Sequence, residues 1–263
     1  MRRTVLACLL AAASTLGQQP TDISPDLRFE VTSLKRSTGQ QFGSGIRPAS
    51  GGQRYEAINC PIRLMLQVAL RVKTEQIVGG PTWLDADGFD MQAKAEKPSS
   101  VDELHVMLLN MLSDRLQLKF HHESRDMPIY ALTVARTGHK LTPHEAANAG
   151  QVWIDQTEEK FLHVRMKATS VPMQYFALRL GLLMDRPVID LTGLRGNYDF
   201  NLEYTREPPP GFPAGGRING EEADTSGPTV YAALNQQLGL ELRPQKGAAD
   251  VVVIDHVEKP SEN

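Results

Sequence analysis

The residues with the most chemistry to offer are a histidine pair followed by an acid, His121-His122-Glu123, and three closely spaced aspartates, Asp85, Asp87 and Asp90. Two histidines beside a glutamate invite a metal. Adjacent strand residues point to opposite faces, so His121 and His122 cannot both ligate one ion without a bend, and zinc needs three or four convergent ligands. The chain has no His-Glu-x-x-His, and His139 and His144 fall in a polar stretch. The expectation is a structural or solvated role for these histidines and no metal. The aspartates could serve general acid/base chemistry or bind calcium, but an EF-hand loop needs more oxygens and a closing glutamate. A polar turn leading into a strand, with carboxylates bonding local backbone amides, accounts for them better.

Nucleophiles and phosphate loops fare no better. Gly43-Ser44-Gly45 lacks the following helix that would present a catalytic serine. The stretch 39–45 has no closing Lys-Ser/Thr, so a phosphate cradle is not expected there, and a flexible loop explains both. Trp83 stands out because Gly79-Gly80-Pro81 sets it on a rigid turn. There a tryptophan either plugs a domain edge or anchors a partner. The binding residues to expect are therefore Trp83 with Pro81 and Asp85, and, in the corresponding turn further on, Arg186, Asp190 and Tyr198. Arg186 and Asp190 could pair there. The rival reading is an envelope hydrolase using acids near Asp85–Asp90 or Asp185–Asp199. No cofactor is expected.

The N-terminus bears on the compartment. Arg2 and Arg3 precede an apolar run from Thr4 to Ala13, followed by small and polar residues. Such a run suits a signal peptide and is too short for a bilayer, which needs roughly 20 apolar residues. Cleavage is placed near Gly17–Gln18, giving a signal peptide over 1–17 and an exported, periplasmic or extracellular protein. Only four uncharged residues separate Cys8 from the arginines, which disfavours a lipid anchor. One cysteine, Cys60, then remains; it cannot form an intrachain disulfide and reads as a small buried apolar residue. The 263-residue chain is 41% hydrophobic and 22% charged, with net charge −3. It has no basic patch, which argues against nucleic acid as a partner.

The elements that must position these residues come in an order that repeats once. The first series is a strand at Tyr55–Ile58, Asn59-Cys60-Pro61, and a helix with Ile62, Met65, Leu66 and Ala69 at i, i+3, i+4 and i+7. Next come a strand at Phe89–Ala95 and a helix opened by the capping box Ser100…Glu103, with Leu104, Met107, Leu108, Met111 and Leu112 on one face. Strands at Leu116–His121 and Ile129–Ala135 close it. The second series runs through a strand at Leu162–Lys167, Ser170-Val171-Pro172, and a helix with Met173, Phe176, Ala177 and Leu180. It continues with a strand at Tyr198–Tyr204 and a helix with Val230, Ala233, Leu234 and Leu238 ended by Gly239. Strands at Leu240–Arg243 and Val251–Ile254 finish it.

This predicts an α+β fold of two tandem strand-helix-strand-helix-strand units, helices packed on a mixed or antiparallel sheet. The first unit spans 18–136 with an added N-terminal strand at Phe29–Lys35. A linker covers 137–160. The second unit spans 161–263 and carries a Pro/Gly-rich insertion at 207–227, expected to be disordered.

Several segments carry a resemblance. Phe29-Glu30-Val31, Gly79-Gly80-Pro81-Thr82-Trp83-Leu84, Asp185-Arg186-Pro187-Val188-Ile189-Asp190, Thr192-Gly193-Leu194, Gly196-Asn197-Tyr198-Asp199-Phe200 and Asp255-His256-Val257-Glu258-Lys259-Pro260 resemble a large family of exported soil-bacterial proteins of unknown function. The resemblance implies a compartment and no activity; some family members are joined to membrane-bound metallopeptidase sensors, which implies an envelope sensing or docking role. Each unit is also similar, in pattern, to the short N-terminal module of secretins and TonB-dependent receptors, where the second helix ends as Leu238-Gly239-Leu240 does. Those modules bind neighbouring protein segments without catalysis. The chain is thus expected to be a non-enzymatic module that docks an envelope protein or peptide along a sheet edge.

Overall fold

The computed structural model describes residues 26–39, 45–48, 52–144, 153–160, 162–208, 212, 216–218, 221–222 and 226–260. The signal-peptide reading over 1–17 and most of the 207–227 insertion lie outside these residues. The described part of the insertion holds a short antiparallel pair, Arg217–Ile218 (β12) with Glu221–Glu222 (β13).

The fold is α+β. Strands Val31–Arg36 (β1), Gly45–Pro48 (β2), Arg54–Pro61 (β3) and Gly88–Lys94 (β5), with the short Ile77–Gly79 (β4) between the last two in sequence, open the chain. Four of them form an antiparallel sheet in the order β1-β5-β3-β2. Strands Lys119–Val134 (β6), Thr142–Pro143 (β7), Trp153–Lys160 (β8), His163–Pro172 (β9), Val188–Asp190 (β10) and Asn197–Thr205 (β11) follow. A second antiparallel sheet has the order β7-β11-β9-β8. Residues 137–160, expected to be a linker, therefore supply both edge strands of that sheet.

The helices form where the apolar spacing predicts. Ile62–Leu70 (α1) buries Ile62, Met65, Leu66 and Ala69. A single turn, Trp83–Ala86 (α2), follows β4. Val101–Leu116 (α3) buries Leu104, Met107, Leu108, Met111 and Leu112, and its capping box closes as expected: Glu103 N–H donates to Ser100 Oγ, and Ser100 N–H to Glu103 Oε2. Met173–Leu183 (α4) buries Met173, Phe176, Ala177 and Leu180. Val230–Ala233 (α5) widens into a π-helical turn over Leu234–Leu238, stopped by Gly239 at φ 64°. Each fully buried Leu, Met or Phe on these faces contributes about 1.5–3 kcal/mol relative to exposure.

The closing strands depart most from expectation. The sequence predicts two short strands after α3 and two after α5. The structure has one 16-residue strand, β6, and one 17-residue strand, Leu240–His256 (β14), paired antiparallel along their whole length from Lys119↔His256 to Val134↔Leu240. β10 joins β6 in parallel only at Tyr130–Leu132, and β4 joins β14 only at Val252–Ile254. The middle of the ladder is two-stranded and solvated. Polar residues, Pro128 and Pro244 are tolerated there because a missing N–H can face an open side. Gly247 lies in this middle, where a Cβ would come within 2.7 Å of Ile129 Cδ1.

The long ladder ties the halves together. One core gathers residues of the first half plus Ile254 from the far end of β14, with Val257 packed against it. The other gathers residues of the second half plus Tyr130 and Leu132 from the far end of β6. Each half sends the strand that follows its second long helix across to the other, so the units expected to bury their helices against their own strands instead share them. Among the described residues no helix is long and apolar enough to cross a membrane.

Candidate functional site

The turn bearing Trp83 is built by two left-handed glycines, Gly79 at φ 79° and Gly80 at φ 82°. A Cβ on Gly80 would lie 2.5 Å from Leu84 Cδ1, so this approach of turn to helix requires glycine. Arg63, on α1, locks the turn: Nε donates to Asp85 Oδ1 at 2.7 Å, Nη1 to the Ile77 carbonyl at 3.2 Å and Nη2 to the Gly79 carbonyl at 3.0 Å. Trp83 is half-buried and stands edge-on to Phe89, with ring centroids 6.3 Å apart. Lys259 Nζ lies 5.7 Å from the Trp83 ring centroid and 2.9 Å from Asp87 Oδ2, while Arg36 Nη2 donates to Asp87 Oδ1 at 3.0 Å. The Lys259 hydrogen bond, helped by Arg36, holds the Asp87 carboxyl below the usual carboxylate range. Pro81 is exposed on the same turn.

Asp90 and Asp199 do matching work. Asn59 and Ser170 sit in left-handed bulges, at φ 43° and 56°. The Asn59 amide donates to Asp90 Oδ1 at 2.8 Å, and the Ser170 amide to Asp199 Oδ1 at 2.7 Å. The Ser170 bond, followed by one from His144 Nδ1 at 2.9 Å, keeps the Asp199 carboxyl low. Facing each bulge is a residue suited to it: a Cβ on Gly88 would meet Asn59 Oδ1 at 2.0 Å, and Asn197 Nδ2 donates to Ser170 Oγ at 2.9 Å.

The other expected binding residues also have structural partners. Arg186 pairs with Asp185 and lies 5.4 Å from the Tyr130 ring centroid, not against Asp190 as the sequence suggested. Asp190 instead accepts from the amide and hydroxyl of Thr192, a local turn. Tyr198 is buried, and its hydroxyl donates to the Arg195 carbonyl. No hydrogen bond, ion pair or ring contact among the described residues joins Trp83, Pro81 or Asp85 to Arg186, Asp190 or Tyr198. The acids of the hydrolase reading are thus each engaged by their own partner. His121 and His122 separate as strand geometry requires, His121 to Asp255 and Glu123, His122 to Asp250. The bonds to Asp255, the larger cause, and to Glu123 raise the His121 pKa.

A different constellation lies where α1, α3 and α4 meet between the halves. A cavity of about 220 Å³ is lined by Gln67, Val68, Arg71, Val72, Lys73, His105, Arg179 and Leu182. Arg71 closes α1 in the left-handed conformation, φ 57°, donates from Nε to His105 Nδ1 at 3.1 Å, and pairs with Asp102. Lys73 Nζ crosses to the Leu182 carbonyl at 3.0 Å. Burial, then the Arg71 and Arg179 charges, push His105 down to about 4. It is therefore neutral at pH 7, and because Nδ1 accepts from Arg71, Nε2 carries the proton. Burial also lowers Lys73, against the pull of Glu75 and Asp185. Sequence reasoning did not find this group. Its members lie on three helices and a turn far apart in the chain, and only the packing brings them together.

A family model described as a protein of unknown function, DUF3738, matches residues 63–257. No curated protein and no solved structure matches the chain.

Proposed function

Because the chain belongs to the DUF3738 family, whose function is unknown, we propose from its own residues that it is an exported, non-enzymatic protein that docks a protein or peptide in the cell envelope. The observation that carries this reading is the fate of the acids. Asp85 holds Arg63, Asp87 holds Arg36 and Lys259, Asp90 and Asp199 hold bulge amides, and Asp190 closes a turn. A general acid or base needs a carboxyl oxygen within reach of a substrate proton, and each of these carboxyls already holds a scaffold partner. The apolar run after Arg2 and Arg3 supports export. The sequence's resemblance in pattern to secretin and TonB-receptor modules favours docking. So does the outer edge of β1, which pairs with no strand among the described residues and carries Val31 at 58% exposure.

Affinity capture from a periplasmic fraction, with the full chain and with Trp83→Ala, tests the reading. The expected result is an envelope protein retained by the wild type and depleted with the variant. Equal recovery of every partner removes Trp83 from the interface. Hydrolytic turnover abolished by Asp85→Asn or Asp199→Asn would replace docking with the hydrolase reading.

A further inference from the structure

The seam between the halves carries a feature that the docking reading does not use. Of the eight residues lining its cavity, three are permanently or normally cationic: Arg71, Lys73 and Arg179. One carboxylate, Asp102, answers them directly, and it is taken by Arg71. Glu75 and Asp185 act on Lys73 through space. Arg179 has no ion pair among the described residues; its neighbour one turn back on α4 is the Tyr175 hydroxyl. Partly buried cations without counter-charges cost free energy, so folded proteins pair them. Here the pairing is incomplete, and the gap is a cavity.

The hydrogen-bonding capacity left over is mostly of one kind, the Gln67 amide oxygen being the exception among the lining residues. His105 is held neutral with Nδ1 already accepting, so its remaining ring group is the Nε2–H donor. Lys73 keeps two protons beyond the one given to Leu182, and the Arg179 guanidinium has up to five donors. A site that offers several donors and net positive charge against one neutral amide acceptor favours an oxyanion. Its volume, about 220 Å³, lies below the roughly 300–1,000 Å³ of drug-sized ligand pockets, so the anion is small. The floor is fixed: Arg71 is tied to both Asp102 and His105, and the His105 ring lies 6.0 Å from that of Tyr55, a fully buried residue.

We propose that the cavity between α1, α3 and α4 is a binding site for a small oxyanion, phosphate or short carboxylate, held by Arg179 and Lys73 with the His105 Nε2–H as a neutral donor. Because Lys73 and Arg179 come from opposite halves of the chain, occupancy bridges them. The site is independent of any envelope partner.

Calorimetric titration of the full chain with inorganic phosphate and separately with succinate, at constant ionic strength, tests the site. Saturable one-site binding of either anion is expected, and which one binds assigns its chemistry. Affinity should fall at least ten-fold in Arg179→Gln and in Lys73→Gln, and hold in the exposed control Arg243→Gln. If Arg179→Gln fails to fold by circular dichroism, Lys73→Gln decides alone. Absence of saturable binding of both anions, or wild-type affinity in the folded variants, overturns the proposal.

Discussion

Asp199 holds Ser170. The serine amide donates to Asp199 Oδ1 at 2.7 Å while its backbone stays at φ 56°, a conformation that favours glycine. Asp90 does the same for Asn59 at 2.8 Å and φ 43°. These bulges turn β3 into α1 and β9 into α4, so the two aspartates set where the helices begin. Replacing either acid by alanine strands a part-buried amide, and each variant should lose about 1–3 kcal/mol in urea unfolding. Because the Asp199 carboxyl is held low, its contribution is complete above the ordinary aspartate pKa of about 4 and disappears as pH falls through the lower folded value. Asp199→Ala should therefore differ from wild type at pH 7 and converge with it in strong acid.

Gly239 ends the last helix where the chain has no room for a side chain. At φ 64°, a Cβ would come within 2.1 Å of the Gly138 carbonyl oxygen, a backbone atom. Left-handed strain alone costs an alanine about 1–2 kcal/mol. Gly239→Ala should exceed that and lower the thermal midpoint by more than Gly193→Ala, whose Cβ would meet nothing within 4 Å at a similar φ of 70°. Differential scanning calorimetry of the two variants makes the comparison.

His105 gives the seam a pH signature. Burial, then Arg71 and Arg179, push it down to about 4 from the ordinary 6.5. As pH falls from about 6.5 towards 4, the unfolded chain takes up a proton that the folded chain refuses, so folding stability declines; below both values the difference no longer grows. The penalty is on the order of 3 kcal/mol at full extent. Carboxylates titrate in the same range, so the observable is the stability difference between wild type and His105→Gln. It should shift in the variant's favour between pH 7 and pH 4.5.

Much of this fold was legible because the sequence states it locally. The apolar faces of α1, α3 and α4 follow helical spacing, and the Ser100–Glu103 box marks a helix start; of the three aspartates expected to accept from local backbone amides, only Asp90 accepts from an amide, that of the distant Asn59, while Asp85 and Asp87 hold side-chain cations. Other features had no local signal. Residues 124–128 and 244–250 are polar and broken by proline and glycine, and they fall between the expected strands because a solvated two-stranded ladder has no hydrophobic alternation to display. The strand exchange was hidden for the same reason, since nothing in a strand's composition says which half will pair with it. The cavity-lining residues were invisible on their own: His105 lies beside Leu104 on the flank of an apolar face, and Arg71, Lys73 and Arg179 look like solvated charges until α1 and α4 meet.

The claim on which the rest stands is that β6 and β14, by crossing between the halves, make both cores one folding unit. Pulsed hydrogen exchange along a urea titration reads it directly, following α3 in the first half and α4 in the second. With Ile254 in one core and Leu132 in the other, the two helices should lose protection at a single shared midpoint, and Ile254→Ala, costing about 2–5 kcal/mol, should move both together. Two separate midpoints, or a shift of α3 alone, would contradict it.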